Sequence, residues 1–257
     1  MHEMEPSGAL VFLSDLHLSR NRPELTQLFL EFCRNLPMEF TGLFILGDLF
    51  DFWVHPRQAA ESPEAEVLHA LRELQERGTA VHIMPGNRDF ALDGNVLGKF
   101  RLNPLPDPSV LVLADGQRVL LTHGDLLCTD DIRYQRFRRI IRNPPVRLLL
   151  GRLPFGTLKW LARLLRQGSR RAIRHKSQAA TQATTEGIAR ALKGEFPFHG
   201  LRSPYTLLLH GHTHQALLEE RQEISGRRLV LGDWSERGAW IAEYHPGQDW
   251  LLRHIAG

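Results

Sequence analysis

The sequence predicts an α/β fold in which two β-sheets pack as a sandwich between helices, an αββα layering, with a helical segment inserted over one end. Three observations carry this. Short apolar runs each stop at a cluster of Asp, His, Asn or Gly; amphipathic helical stretches alternate with the early runs; and one long basic stretch holds no strand-like run. The chain has 257 residues, 42% hydrophobic and 24% charged. That is material for one large domain or a domain with an insertion, and it excludes the disordered, collagen-like and coiled-coil classes. Cys33 and Cys128 are far apart and outside any C-x-x-C pair, which argues against a disulfide scaffold or a thiolate zinc site. Met1 to Pro6 carries acids where a secretion signal needs bases, and no apolar run nears the ~20 residues of a spanning helix, so a cytoplasmic protein is expected.

Taken in order, Leu10-Val11-Phe12-Leu13 runs into Ser14-Asp15-Leu16-His17 as the first buried strand. A helix begins near Pro23, with Leu25, Leu28, Phe29 and Phe32 on one face. Leu43-Phe44-Ile45-Leu46 is the second strand and meets Gly47-Asp48; Ser62-Pro63 then opens a helix that closes at Gly78. Three more strands run into Pro85-Gly86-Asn87-Arg88-Asp89, into Thr122-His123-Gly124-Asp125 and into His210-Gly211-His212-Thr213-His214. Arg228 to Leu231, Trp240 to Ala242 and Trp250 to Leu252 read as antiparallel strands completing the second sheet. Open α/β sheets gather function at the carboxyl ends of their strands, so five polar strand ends describe one site.

Between Ile132 and Thr185 there is no Asp or Glu, while fourteen Arg and Lys fall there. Pro144-Pro145 and Pro154 break this stretch into short helices, and sheet-type sequence resumes at Tyr205. The expected organisation is therefore a core of residues 1–131 and 201–257 with a helical cap, 132–200, over the strand ends.

The chemistry lies at those ends. Strand alternation would place Asp15 and His17 on one face, where a carboxylate and an imidazole can grip one cation. Three histidines within His210 to His214 would arise by chance only ~0.03 times in a chain of this composition, and coordination is the natural explanation, with the glycine letting the backbone turn. Asp48, Asn87 and His123 add a carboxylate, an amide oxygen and another imidazole. Mixed Asp, Asn and His donors without cysteine suit Mn²⁺, Fe²⁺ or Zn²⁺. Asp15, His17, Asp48, Asn87, His123, His212 and His214 are too many for one ion, and two bridged metals of the kind that hydrolyse phosphate esters would use them all.

The ordered set D-x-H, G-D-x-x-D, G-N-x-D, H-G-D and G-H-x-H resembles the calcineurin-like metallophosphoesterase superfamily. Within it, Gly47-Asp48-Leu49-Phe50-Asp51-Phe52-Trp53, Gly86-Asn87-Arg88-Asp89-Phe90 and His123 to Asp131 are similar to the UDP-2,3-diacylglucosamine hydrolases of lipid A biosynthesis. That resemblance implies two Mn²⁺, one on Asp15, His17, Asp48 and His214, the other on Asp48, Asn87, His123 and His212, with Asp48 bridging. It implies attack of a bridging hydroxide on a pyrophosphate, giving UMP and 2,3-diacylglucosamine 1-phosphate. It also implies substrate contacts at Asn87, Arg88, Asp131, Ser169, Lys176 and His212, and a peripheral place on the cytoplasmic face of the inner membrane, with no nucleic acid and no obligate protein partner. Two features depart from the pattern: Ile173 replaces a polar residue, and Val54-His55-Pro56-Arg57 replaces an acidic loop.

Arg88, paired with Asp48 as the catalytic residues, is informative by itself. Many superfamily members carry His there, able to protonate a leaving alkoxide. A guanidinium cannot give up a proton at neutral pH but clamps phosphate oxygens. It therefore suits a leaving group that needs no proton, such as a phosphate monoester with a second pKa near ~6. In the cap, Leu148, Leu149, Leu150, Leu153, Phe155, Leu158, Trp160, Leu161, Leu164 and Leu165 interleave with arginines. They are expected either to pack as an ordinary amphipathic helix pair or to meet acyl chains and anionic headgroups. The rival functions are another dimetal phosphoesterase acting on a soluble nucleotide, phosphodiester or phosphoprotein, and a non-catalytic binding module on the same fold.

Overall fold

A computed structural model of the chain describes residues 2–162, 164, 182–195, 198, 205–221 and 226–256. The first helix and sheet follow the expected alternation. Strands β1 (Glu3–Met4), β2 (Ala9–Leu13), β3 (Phe40–Leu46), β4 (Ala80–Met84) and β5 (Asn103–Pro104) are followed by β6 (Ser109–Val112) and β7 (Arg118–Thr122). The chain later adds β8 (Leu207–His210), β9 (Leu217–Arg221), β10 (Gly226–Val230), β11 (Trp234–Ser235), β12 (Gly238–Tyr244) and β13 (Leu251–Ile255). Helices α1 (Pro23–Asn35), α2 (Glu64–Glu76) and α3 (Gly94–Lys99) precede α4 (Ile132–Ile141), α5 (Pro144–Leu150), α6 (155–162) and α7 (Thr185–Lys193).

One sheet runs β11-β12-β2-β3-β4-β5, with β13 on β12; the other runs β1-β6-β7-β8-β10-β9. Strand alternation divides the core accordingly. Leu10, Phe12, Phe44 and Leu46 turn inward and meet Val119, Leu121, Leu207 and Leu209 between the sheets. Val11, Leu13, Leu43 and Ile45 turn outward onto Leu25 and Phe29 of α1 and Val67, Leu68 and Leu71 of α2. On the far side Leu120 and Leu208 pack against Ile188, Ala191 and Leu192 of α7. Both faces of the central strands are thus dry, which explains why they read as continuous apolar runs rather than alternating ones.

Two expectations change here. The last strands do not together complete the second sheet: β10 joins it, parallel to β8 and antiparallel to β9, whereas β12 returns to the first sheet antiparallel to β2 and carries β13 on its other edge. Strand patterns carry no information on which of two equally apolar sheet edges a later strand will join. Every described element between 132 and 200 is helical, but α7, at the end of that range, is a layer of the sandwich rather than a covering over the strand ends.

Candidate metal centre

β2, β3 and β4 run parallel and in register, with Leu13 beside Ile45 and Leu46 beside Met84; β7 and β8 are likewise parallel, with Thr122 beside His210. Five loops therefore leave the two sheets at one end. Asp15 and His17 lie beyond β2, not within it, and both adopt left-handed backbone conformations, as do Asp48, His212 and His214. Arg101 is the sixth such non-glycine residue among those described. The i and i+2 side chains are brought together by this backbone and by the pairing of His17 N–H with Asp48 O (2.9 Å) and Leu18 N–H with Leu49 O (3.0 Å), not by strand alternation. Gly211, similarly, is not the turning residue, since the left-handed turns fall on His212 and His214. Its lack of a side chain matters because a Cβ there would collide with Ser14 and Asp15.

The donors converge in two groups, Asp15 with His17 and His214, and Asp15 with Asp48 and His123. In the first, His214 Nε2 lies 3.3 Å from Asp15 Oδ1 and 3.4 Å from His17 Nε2. Asp15 is common to both groups; Asp48 belongs to the second and also approaches the first, its Oδ2 3.7 Å from His17 Nδ1 and its Oδ1 3.9 Å from His123 Nε2. His123 Nδ1 faces the Leu46 carbonyl and His123 Nε2 faces Asn87 Oδ1, each at 2.9 Å, so both ring nitrogens meet acceptors and Nε2 and Asn87 Oδ1 converge on one point of the site. The His212 ring lies 5.1 Å from that of His123, and its backbone N–H donates to Asp15 Oδ2 at 2.7 Å, but its ring belongs to neither group. His210, the third histidine of the pentapeptide, is also in neither; it is wholly buried behind the loop.

The electrostatics fit a cation. Asp15 Oδ1 and His17 Nδ1 are buried with no hydrogen-bond partner. Burial, with Asp89 and Asp15 adding to it against the pull of His123 and Arg88, pushes Asp48 up to about 7. Burial pulls His214 down, but the Asp15 and Asp233 carboxylates outweigh it and hold the imidazole at about 10. His17 is driven well below its ordinary range by burial and then by Arg88. Imidazole nitrogens and carboxylate oxygens crowded this closely, with buried lone pairs left over, form the donor set of a divalent ion.

A sequence profile described as calcineurin-like phosphoesterase matches residues 9–216. The chain belongs to that family. A UDP-2,3-diacylglucosamine hydrolase from Azotobacter vinelandii is 40% identical over 236 residues, 91% of this chain and 93% of that protein. One from Pseudomonas aeruginosa is 39% identical over 238 residues, 91% and 94% of the two chains. The solved structure of a hypothetical protein, PH1004, from Pyrococcus horikoshii OT3 covers 98% of this chain and 88% of that one at 14% identity, with a TM-score of 0.48. Family and donor set together make this centre a divalent-cation site.

In this phosphoesterase Arg88 does not pair with its neighbour Asp89. Its Nη1 donates to Asp51 Oδ1 at 3.1 Å and its Nε lies 3.5 Å from Asp48 Oδ2, while about a third of the side chain stays open to solvent. Asp89 is instead a scaffold carboxylate. It accepts the backbone N–H groups of Gly86 (2.7 Å), Leu49 (2.8 Å), Asp48 and Phe50 (both 3.3 Å), which fastens the β3 loop to the β4 loop. Asp131 caps α4 through Tyr134 N–H at 3.1 Å. Ser169, Lys176 and Ile173 lie outside the described residues.

Three acids that carried no assigned role prove important. Asp125, of His123-Gly124-Asp125, accepts from the Tyr134 hydroxyl and from Arg138 Nε (2.7 Å); Asp107 accepts from Arg138 Nη2 (2.8 Å) and from Thr122 Oγ1 (2.7 Å). Asp233 lies 3.7 Å from His214 Nδ1. Asp125 stood in a quoted motif, whereas Asp107 sits alone between two prolines and offers no sequence signal. With Arg142 Nη2 donating to Gly86 O (2.9 Å), these contacts pin one face of α4 to the strand ends. The unusual His55 loop has a contact as well: the His55 ring lies tilted 5.3 Å from that of Phe155, and Glu61, just after the loop, pairs with Lys159 at 2.8 Å, so this segment seats α6.

Proposed function

We propose that this phosphoesterase cleaves the pyrophosphate of UDP-2,3-diacylglucosamine, releasing UMP and 2,3-diacylglucosamine 1-phosphate. The observation that carries the reading is Arg88: a guanidinium held by Asp51 at the rim of the metal donors, in the place where a proton donor would serve an alkoxide leaving group. The relatives named above support the substrate. Two Mn²⁺ are the expected cations, one on Asp15, His17, Asp48 and His214 and one on Asp48, Asn87, His123 and His212; the two oxygens of Asp48, each facing a different histidine, support its bridging role. Bound cations supply Lewis-acid stabilisation of phosphoryl oxygens and a nucleophile from water at neutral pH.

The chain's own groups do the rest. Arg88 orients the pyrophosphate and meets the charge that develops as water oxygen bonds to the α-phosphorus and the bond to the bridging oxygen breaks. The departing 1-phosphate keeps that oxygen and, with a second pKa near ~6, leaves without taking a proton. Asn87 and His212 face the α-phosphate from the β4 and β8 loops, and Asp131, Ser169 and Lys176 hold the nucleotide and glucosamine. The cap within 132–200 consists of α4 to α6 and the segment that follows them, with α7 reassigned to the sandwich. Its solvent-facing Ile132, Ile140, Leu148, Leu149 and Trp160, each about 60% exposed, receive the acyl chains at the cytoplasmic face of the inner membrane. No helix among the described residues is long and apolar enough to cross a membrane.

The test is UMP release from detergent-dispersed UDP-2,3-diacylglucosamine by protein loaded with Mn²⁺, beside hydrolysis of a soluble phosphodiester. Turnover of the lipid is expected. Activity on soluble diesters alone would favour the rival phosphoesterase. Metal analysis belongs with it: Asp48→Ala is expected to empty both sites and His17→Ala chiefly one.

A further inference from the structure

One histidine of the pentapeptide is unused by the metal donors, and its surroundings say why it is there. His210 is wholly buried, and its ring is held on two sides by partners whose roles cannot reverse. Arg228 Nε, which only donates, lies 2.9 Å from His210 Nε2. The Gly211 carbonyl, which only accepts, lies 2.8 Å from His210 Nδ1. Together they admit one tautomer, neutral with the proton on Nδ1. Arg228, on β10, is itself 7% exposed, and its Nη1 donates to Glu219 on β9 at 3.1 Å.

The peptide of Gly211 is the point on which this chain of bonds ends, and it is fastened from every other side as well. Its N–H donates to His123 O at 2.9 Å, and a Cβ on its α-carbon would collide with Ser14 and Asp15, so there is no room for a side chain. The next N–H, of His212, binds Asp15 Oδ2. A displacement of Gly211 therefore moves Asp15, His123 and His212 together. We infer that Arg228 and His210 are positioning residues that brace the Gly211 peptide from behind and so set the geometry of the loop carrying His212 and His214. The inference rests on the reading that His212 and His214 hold a cation.

The test uses the full chain stripped with chelator and titrated with Mn²⁺, with the melting temperature of the metal-free protein recorded in parallel. Arg228→Met and His210→Gln are each expected to weaken Mn²⁺ binding at least tenfold, the size of effect seen when a group that orients a ligand is lost. The double variant is expected to lose little more than either alone, because both act through one path. A loss below tenfold in folded Arg228→Met overturns the inference, whatever the melting temperature does, since a merely structural strut would move that temperature and leave the affinity of the folded protein intact. If Arg228→Met does not fold, Arg228→Lys, which keeps the charge and lacks the Nε–H, is read by the same threshold. His212→Ala separates the two layers. Wild-type affinity in that variant overturns the ligand reading and this inference with it; weakened binding there, with Arg228→Met unaffected, overturns this inference alone.

Discussion

Five expected ligands hold left-handed backbone, a state that costs a non-glycine residue on the order of 1–3 kcal/mol and persists only where the surroundings impose it. Here the paired loops impose it, with Asp89 accepting the Asp48 N–H, and so bring the donors together. Arg88 belongs to the same scale. Arg88→Lys keeps the charge but cannot hold Asp51 and a phosphate in one fixed fork, so kcat/KM is expected to fall tenfold or more with metal content unchanged. Unaltered kinetics would reduce Arg88 to a partner of Asp51. A second residue contributes to acid sensitivity, beside His17, His210 and His212, which burial also holds down. Burial, with a smaller push from His2, holds His82 down at about 4, stacked on Phe44 with ring centroids 4.6 Å apart. Between its ordinary value of 6.5 and about 4, the unfolded chain takes up a proton that the folded one refuses, so stability falls as pH falls through that window. His82→Phe is expected to flatten this slope. Denaturation midpoints at pH 7 and pH 4.5 measure it, and an equal acid loss in variant and parent would contradict the assignment.

At the scale of elements, α4 shows how one helix serves two masters. Tyr134, Arg138 and Arg142, at i, i+4 and i+8, turn to Asp125, Asp107 and the Gly86 carbonyl. The opposite side leaves Ile132 and Ile140 in solvent, and α5 and α6 continue the exposed surface with Leu149 and Trp160. Leu158, by contrast, is buried, and Phe155 lies against His55, so the described part of that apolar series is partly core and partly surface. Serine at Leu149, Trp160 and Leu164 together is expected to lower activity on the diacyl substrate at least tenfold. Hydrolysis of a soluble diester should persist and the melting temperature should hold, because side chains already in water lose little packing on folding. A parallel loss of both activities and of stability would show that these residues are packed.

Across the whole molecule, the centre ties the two sheets together: Asp15 and Asp48 come from one sheet, His123 and His214 from the other. A cation bound there stabilises the sandwich by mass action. Chelation is expected to lower the melting temperature, and Mn²⁺ at ~100 times its Kd to restore ~2.7 kcal/mol, or about 5–10 °C for a chain of this size. A midpoint indifferent to Mn²⁺ concentration would show that the donors do not hold the ion in the folded state.

How much of this was legible beforehand depends on whether the signal is local. The strand ends at Asp15, Asp48, Asn87, His123 and His212 were readable because a buried strand is an apolar run and a functional strand end is a polar break in it, both properties of a few consecutive residues. The layering and the donor chemistry followed from those ends. Pairing partners were not readable in the same way. That β12 would lie against β2, that α7 would cover the second sheet, that Asp107 would meet Arg138 and that Arg228 would reach His210 are contacts between residues 18 to 234 positions apart. The sequence alone determined which residue types stand at the strand ends and hence the class of chemistry; only the tertiary structure decided which of them face each other, because that choice is made by packing between segments and leaves no pattern within either one.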